Sequence, residues 1–381
     1  FPLKSNFGQN LLYGGPQSCI FGLLVVFAAQ LVITLGLGEI ASAFPSTGGQ
    51  YHFCYILSSP NTRRFTGYLI GWMSMLAWWI VTQPASFLTQ SGLGSSGWSA
   101  GIAWTLGIAN AMYAFGGTDG VIHISEEMPH PGRRVPQVMM LTMIIGLATA
   151  FPLFLSLMFY MKDFSAVTSS RLPSLELINQ VTDNDKVTLS LFAYILFVYL
   201  GSHPLYALLL TVSRGVPFSS YFANVDGKRH LPIRTTVASY VFACLYGLLY
   251  LASTSAFNSI VTSAVLFLNI TYAAPQAILL FRGRRRCLPR RYLNLGRAGY
   301  VCNTFSILWT LVLLVFICMP PSLPATPASM NYTAVNLVGL FFVIVFLWYM
   351  DGNKSFQGPE IDWDMIRSLN SGGVEAANDA R

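Results

Sequence analysis

The stretch YAFGGTDGVIHISEEMP, residues Tyr113–Pro129, places three glycines and one carboxylate inside an otherwise apolar segment. Each glycine weakens a helix by about 1 kcal/mol relative to alanine, so the helix over Ile102–Ile124 is expected to break near Gly116. Asp119 is the one carboxylate well inside an apolar segment, and an ionisable group within a membrane usually serves a function. If this segment crosses a bilayer, its unwound backbone must face protein or a water-filled cavity.

The composition of the whole chain indicates that the bilayer is its solvent. Of its 381 residues 54% are hydrophobic and only 10% are charged, too few charges to cover the surface of a soluble protein of this length. The net charge of +7 lies in short basic clusters between apolar runs. That pattern is typical of segments that flank lipid headgroups, so we expect the lipid bilayer, and no nucleic acid, as a partner.

Nine segments have the length and composition of membrane-spanning helices, which need about 20 apolar residues. They are Ser18–Phe44, Phe65–Ser86, Ile102–Ile124, Val138–Met161, Leu189–Val212, Val237–Leu251, Ile260–Phe281, Val301–Met319 and Ala334–Met350. The sequence therefore predicts an all-α polytopic membrane protein, with residues 1–350 as a transmembrane domain. Residues 351–381 are polar and are expected to form a disordered cytoplasmic tail.

Basic residues alternate between the connections that join these segments. The connections with Arg63, Arg133, Lys228 and the 282–297 stretch are strongly basic, whereas the intervening ones are poor in lysine and arginine or offset by carboxylates. Cytoplasmic loops carry the excess of lysine and arginine, so the basic connections are expected to face the cytoplasm.

The break itself admits two interpretations. Broken helices near the bilayer midplane bind solutes and ions in secondary transporters, and this interpretation makes Asp119 part of a binding site. Glycines also permit close packing between helices, which is the alternative. His123 lies one turn after Asp119, and Glu126 and Glu127 follow at the boundary of the span. These three side chains are candidates for a proton relay or an interface gate, the glutamates pairing with the arginines that follow; no metal site and no cofactor is expected.

A second signature, GEIASAFPSTGGQY at residues Gly38–Tyr51, follows the first long apolar segment. Glu39 lies near the cytoplasmic end of that segment, before a turn rich in glycine and proline. We interpret it either as part of a gate or as a carboxylate that reaches the membrane surface in an ordinary loop.

Two tryptophans, Trp78 and Trp79, lie within the second apolar segment and are candidates to face a central cavity. The alternative for any single aromatic residue here is contact with lipid or with neighbouring helices.

Taken together, these motifs resemble one family. Gly38–Tyr51 is similar to the second-helix signature of the amino acid–polyamine–organocation permeases, and Tyr113–Pro129 resembles their sixth helix as found in fungal choline and GABA permeases. Three short runs match the later part of the fungal pattern: LPIR at 231–234, NLGR at 294–297 and SMNY at 329–332.

The resemblance implies a LeuT-type fold of two inverted repeats, with a substrate site between the broken first and sixth helices. Carried onto this chain, it makes Phe115, Gly116, Gly117, Thr118 and Asp119 one wall of the pocket, and Trp78, Trp79 and Thr82 the opposite wall. It further implies proton-coupled uptake of a small organic solute (choline, GABA or an amino acid) at the plasma membrane.

The chain departs from the family pattern in its number of helices. The family has twelve, and the first, fourth and fifth have no counterpart here; Tyr13–Pro16 is similar to the loop after the first helix, and a shorter gap is predicted near Ser213–Pro217. A second hypothesis is therefore a transport-inactive remnant or a regulatory membrane protein. A membrane-embedded enzyme is not expected, since no nucleophile–base pair or phosphate loop is recognisable.

Overall fold

A computed structural model describes residues 2–81, 96–170, 173–195, 197, 233–252, 254–326, 330–353, 356 and 358. Within these ranges the chain is helical and contains no strand. Its α-helices are α1 (Pro2–Ala43), α2 (Gln50–Leu57), α3 (Arg63–Val81), α4 (Ala100–Ala111), α5 (Pro131–Phe159), α6 (Phe164–Ser169), α7 (Pro173–Thr182), α8 (Ile233–Ala252), α9 (Thr254–Arg282), α10 (Arg284–Cys287), α11 (Ala298–Ile317) and α12 (Thr333–Leu347). Residues 185–195 are also helical. Two 3-10 helices (Met112–Phe115 and Thr118–Glu127) follow α4, and a π-helix (Trp348–Gly352) follows α12.

Five helices among the described residues are long and apolar enough to cross a membrane. They are Tyr13–Ala43, Pro131–Phe159, Ser259–Arg282, Ala298–Ile317 and Thr333–Met350. Several of them expose large apolar side chains, such as Leu141, Ile144 and Leu153 on α5. Apolar surface of this extent is stable against lipid and not against water. The chain is thus an all-α membrane protein.

Of the other four predicted spans, one matches a described helix, and three differ from the structure or extend beyond its described part. Ile102–Ile124 is not one continuous helix, because α4 ends at Ala111 and two 3-10 helices follow. The second predicted span corresponds to α3 up to Val81, and the sixth corresponds to α8. Residues 82–86 and most of Leu189–Val212 lie outside the described residues, as do nearly all of the predicted tail 351–381 and the gap predicted near Ser213–Pro217.

The stretch Tyr13–Pro16, predicted as a loop, is a kink within α1. Only Gly14 and Gly15 leave the helical conformation, with φ of −148° and 66°, and the chain is helical on both sides of them. Proline at position 16 suits this place, because the first turn after a kink has no carbonyl that needs its missing N–H.

Two helices, α1 and α9, form the centre of the structure. Helix α1 packs against α4, α5 and α11, while α9 packs against α2, α3 and α11. The two approach closely at Gly36, where a Cβ would overlap the Oε1 atom of Gln276. Glycine at this position lets a polar side chain of α9 reach α1: Nε2 of Gln276 donates a hydrogen bond of 3.1 Å to the Ile33 carbonyl.

The residues after α12 are attached to the start of α3. Arg64 donates from Nε to the carbonyl of Phe356 at 2.9 Å and from Nη2 to the carbonyl of Asn353 at 2.6 Å. Tyr68 packs against Trp348 and Phe356, with ring centroids 5.1 and 5.5 Å apart. The end of α12 is therefore attached to α3 by both backbone and aromatic contacts.

Candidate functional site

The predicted break of the helix is confirmed, and Gly117 is its pivot. Helix α4 ends at Ala111, a 3-10 turn covers Met112–Phe115, and a second 3-10 helix begins at Thr118. Gly117 has φ 85° and ψ 15°, the left-handed conformation that an L-residue with a Cβ adopts only at a cost. The 3-10 stretch Thr118–Glu127 is interrupted by a kink at Ile124 (φ −113°, ψ 15°), and stretches of 3-10 geometry within a helical segment often mark functional hinges.

Two hydrogen bonds hold the carboxylate of Asp119, which is completely buried. The hydroxyl of Tyr272, on α9, donates to Oδ1 at 2.6 Å, and Nε2 of Gln50, on α2, donates to Oδ2 at 2.6 Å. Both donors are uncharged, so they solvate the carboxylate without cancelling its charge. Asp119 therefore joins the broken helix to two other elements of the bundle.

Tyr272 also contacts the backbone at the break. The N–H of Gly117 donates to the Tyr272 hydroxyl oxygen at 3.3 Å, so one hydroxyl links the pivot residue and the carboxylate. Next to it, the hydroxyls of Thr118 and Thr34 lie 3.5 Å apart, which connects the break with α1. One backbone group at the break, the N–H of Gly117, is thus satisfied by a side chain of α9, as is required of freed backbone groups within a membrane.

His123 lies one turn beyond Asp119, between this carboxylate and the α1–α2 connection. Its Nδ1 is 2.8 Å from the carbonyl of Thr47, and since a carbonyl only accepts, Nδ1 carries the hydrogen. Nε2 then faces Asp119 Oδ2 at 3.9 Å. Gly49 makes this approach possible, because it adopts φ 62° and a Cβ there would lie 2.8 Å from Cε1 of His123.

A second histidine, His52, lies on the short helix α2 between the predicted spans. Its Nε2 is 2.7 Å from the Tyr51 hydroxyl, and its Nδ1 contacts the hydroxyl of Ser46. Burial lowers the pKa of His52 to about 3, and repulsion from His123 acts in the same direction. His52 is therefore neutral at physiological pH, and its ring orients the turn that carries Gln50.

Glu39, predicted as a gate or a surface carboxylate, lies in a buried cluster with two arginines. Arg284 and Arg291 both form ion pairs with it, and Nε of Arg291 donates to Oε1 at 2.9 Å. Gly299 leaves room for this arrangement, since a Cβ there would overlap the Arg284 guanidinium. The carboxylate thereby connects α1 to the segment between α9 and α11, and it is completely buried.

Other residues predicted for the site have different surroundings. Phe115 is buried, and its ring centroid lies 5.7 Å from that of Phe27 on α1. Gly116 is exposed, and Glu127 is exposed at the end of the second 3-10 helix. Trp78 and Trp79 belong to the last turn of α3; their side chains, that of Glu126 and all of Thr82 lie outside the described part of the chain.

Sequence patterns did not reveal the partners of the two buried carboxylates. Gln50 was inside the second signature, but it is separated from Asp119 by 69 residues. Tyr272 is one of 18 tyrosines, and nothing in its local pattern distinguishes it. Arg284 was part of a basic connection, which favours a solvated position and not a buried one.

A family model, described as amino acid permease, matches residues 82–347, which is more than half of the chain. The chain belongs to the amino acid permease family. The family assignment and the apolar helices together identify a membrane transport protein, and not an enzyme, which agrees with the resemblance of its motifs.

Three relatives of this permease are fungal transporters. It is 26% identical to a choline transporter of Saccharomyces cerevisiae, over 94% of this chain and 80% of that protein. It is 29% identical to a transmembrane transporter of Metarhizium robertsii, over 74% of this chain and 57% of that protein. It is also 29% identical to a 7-keto 8-aminopelargonic acid transporter of S. cerevisiae, over 65% of this chain and 49% of that protein.

The match to the choline transporter contains large gaps. It extends over 450 alignment positions, although only 94% of 381 residues take part, so about ninety positions of the alignment have no residue in this chain. Gaps of that total length equal several membrane-spanning helices of about 20 residues.

Proposed function

We propose that this permease carries a small organic solute across the plasma membrane by alternating access about the break at Gly116–Asp119. The candidate substrates are choline, GABA and amino acids, with proton-coupled uptake. The observation that carries this proposal is the buried carboxylate of Asp119, held by two neutral donors at a helix break within an apolar bundle. Substrate and ion sites of secondary transporters are built at breaks of this kind.

The charge of Asp119 favours a positively charged ligand group. Among the residues that the structure describes, no lysine or arginine pairs with this carboxylate. A buried charge without a counter-ion is costly, so a cation or a proton would bind there with a gain in free energy. The quaternary ammonium of choline and the amino group of GABA or an amino acid have the required charge, and choline has the added support of the yeast relative.

The same hydrogen bonds support the proposal of proton coupling. A carboxylate accepts from both Tyr272 and Gln50, whereas a protonated acid has one oxygen that donates and competes with one of these donors. Proton arrival would weaken one of the two connections between the broken helix and its neighbours. The imidazole of His123, with Nε2 at 3.9 Å from the carboxylate, lies closest to it as a group through which a proton could pass.

Uptake of radiolabelled choline, GABA and a neutral amino acid by permease-deficient yeast tests this proposal. We expect Asp119→Asn to abolish uptake, or reduce it more than tenfold, at equal surface expression. Asp185→Asn, an exposed carboxylate outside the site, is the matched control and should leave uptake unchanged. A protonophore should reduce uptake by the parent chain; full uptake by Asp119→Asn would refute the assignment.

The gaps in the alignment favour one alternative, a transport-inactive remnant or a regulatory membrane protein. In this case the 381-residue chain reaches the surface but takes up none of the three solutes. Sequencing the transcript distinguishes the two. Frames that encode further helices between Leu93 and Gly94 would restore a transporter, whereas a continuous transcript without them would support the remnant.

A further inference from the structure

The connection between α9 and α11, residues Gly283–Arg297, is the most basic segment of this permease. It contains six arginines within 15 residues, and Arg282 precedes it directly. The segment lies between two membrane-spanning helices, Ser259–Arg282 and Ala298–Ile317. Its charges are therefore placed at the membrane boundary by the helices on both sides.

Three arginines of this region bond to other groups of the protein. Arg284 and Arg291 pair with the buried Glu39, and Arg282 donates to the carbonyls of Leu57 and Ser58 at 2.6 and 2.8 Å. Two guanidinium groups on one carboxylate leave an excess positive charge. Nη1 of Arg284 is buried and has no acceptor within the described chain, although Arg284 is only 3% exposed.

The other four arginines, Arg285, Arg286, Arg290 and Arg297, are exposed. No carboxylate of the described residues forms an ion pair with any of them. We call these four residues the arginine cluster. Among the described residues Glu39 is the one carboxylate bonded to this connection, and it is occupied by the buried pair, so none of them supplies the cluster with a counter-charge.

The backbone around the cluster is held in place. The N–H groups of Leu293 and Leu295 donate to Ser42 Oγ at 3.0 Å and to Glu39 Oε1 at 3.3 Å. The connection is therefore attached to α1 before any ligand arrives, so little conformational entropy is lost on binding. Phe281, near the end of α9 and directly before Arg282, is 86% exposed.

We propose that the arginine cluster binds the phosphate headgroups of anionic lipids. Guanidinium groups bind phosphate with two parallel hydrogen bonds, and basic clusters directly beside a membrane helix attract anionic lipid. A soluble phosphorylated protein or a nucleic acid would meet the same charge. The exposed Phe281 and the two flanking spans favour an occupant with an acyl chain in the bilayer.

Native mass spectrometry of the full chain in detergent, titrated with phosphatidylserine or phosphatidylcholine, measures the binding. We expect phosphatidylserine to bind at least tenfold more tightly. Arg285→Gln with Arg286→Gln should weaken its binding about thirtyfold, because each basic residue near an anionic surface contributes about fivefold. The matched control exchanges two exposed lysines on another connection, Lys162→Gln with Lys186→Gln, and should leave the affinity within twofold.

Ionic strength gives a test that needs no variant. Raising the salt from about 0.1 to 1 M shortens the screening length from about 10 to 3 Å, so binding of phosphatidylserine to the parent chain should weaken at least fivefold. Equal affinity for the two lipids, or unchanged binding by the arginine variant, would overturn the proposal. Complete displacement of the lipid by millimolar inorganic phosphate would likewise overturn it, since the site would then bind a free anion.

Discussion

Removing the hydroxyl oxygen of Tyr272 tests whether the carboxylate of Asp119 is held as the structure describes. Tyr272→Phe keeps the ring and removes the hydroxyl that donates to Asp119 at 2.6 Å and accepts from Gly117 at 3.3 Å. A hydrogen bond to a charged group contributes about 1.5–3 kcal/mol, and a neutral one about 1 kcal/mol. The substitution should therefore destabilise the permease by about 2–4 kcal/mol.

The measurement is the thermal unfolding midpoint of the purified chain in detergent, followed by the loss of the monodisperse peak. At about 2 °C per kcal/mol for a large domain, the midpoint should fall by about 4–8 °C. Tyr349→Phe is the matched control, because Tyr349 is 75% exposed and its substitution should change the midpoint by less than 1 °C. This readout does not depend on transport activity.

A double-mutant cycle separates the bond from the residue. If Tyr272 acts through Asp119, then Tyr272→Phe in the background of Asp119→Asn should cost at least 1.5 kcal/mol less than in the parent chain, roughly the free energy of one charge-assisted bond. Equal costs in both backgrounds, or a Tyr272→Phe variant as stable as the Tyr349→Phe control, would refute the reasoning.

Three further predictions concern groups around the site. Gly49→Ala should lower the unfolding midpoint more than Gly283→Ala, since both have positive φ but only the first adds a Cβ 2.8 Å from a histidine ring; equal losses would contradict this contact. Glu39→Gln should cost about 3–5 kcal/mol in unfolding free energy, because it leaves two arginines without their counter-ion, while Asp185→Asn should cost less than 0.5 kcal/mol. The pKa of His52 is about 6.5 in the unfolded chain and about 3 in the folded chain, so below pH 6.5 the unfolded chain binds a proton that the folded chain does not. The free energy of unfolding should therefore keep its full value above pH 6.5 and fall by up to about 1.4 kcal/mol per pH unit below it. His52→Gln should remove that part of the acid dependence, as measured by unfolding midpoints between pH 7 and 5; an unchanged profile would exclude His52 as its source.

The sequence predicts the break better than the site around it. Three glycines beside Asp119 determine a local property, the failure of a helix, and the structure has that failure at Gly117. The two donors that hold the carboxylate come from Gln50 and Tyr272, and the tyrosine is 153 residues away along the chain. Contacts at such separations depend on how the helices pack, which a helical pattern within one segment does not specify.

The pattern of charges predicts the positions of individual side chains less reliably. A run of arginines next to a span favours an exposed connection, and Arg285 and Arg286 are exposed. Arg284, their immediate neighbour, is instead buried against Glu39 at a separation of 245 residues. The sequence contained both charges, but the match between one carboxylate near the end of α1 and one arginine among many requires the three-dimensional arrangement.

The attachment of the chain after α12 to Arg64 has a practical consequence for labelling. Arg64 binds the backbone carbonyls of Asn353 and Phe356, so these contacts depend on the presence of the segment and not on its side chains. A reporter fused after Gly358 leaves both carbonyls in place. A reporter that replaces the chain after Met350 removes both carbonyls and exposes Tyr68. Fluorophores on α3 and on residue 353 would therefore label two segments that are hydrogen-bonded to each other, and a change in the distance between them would report the loss of these contacts.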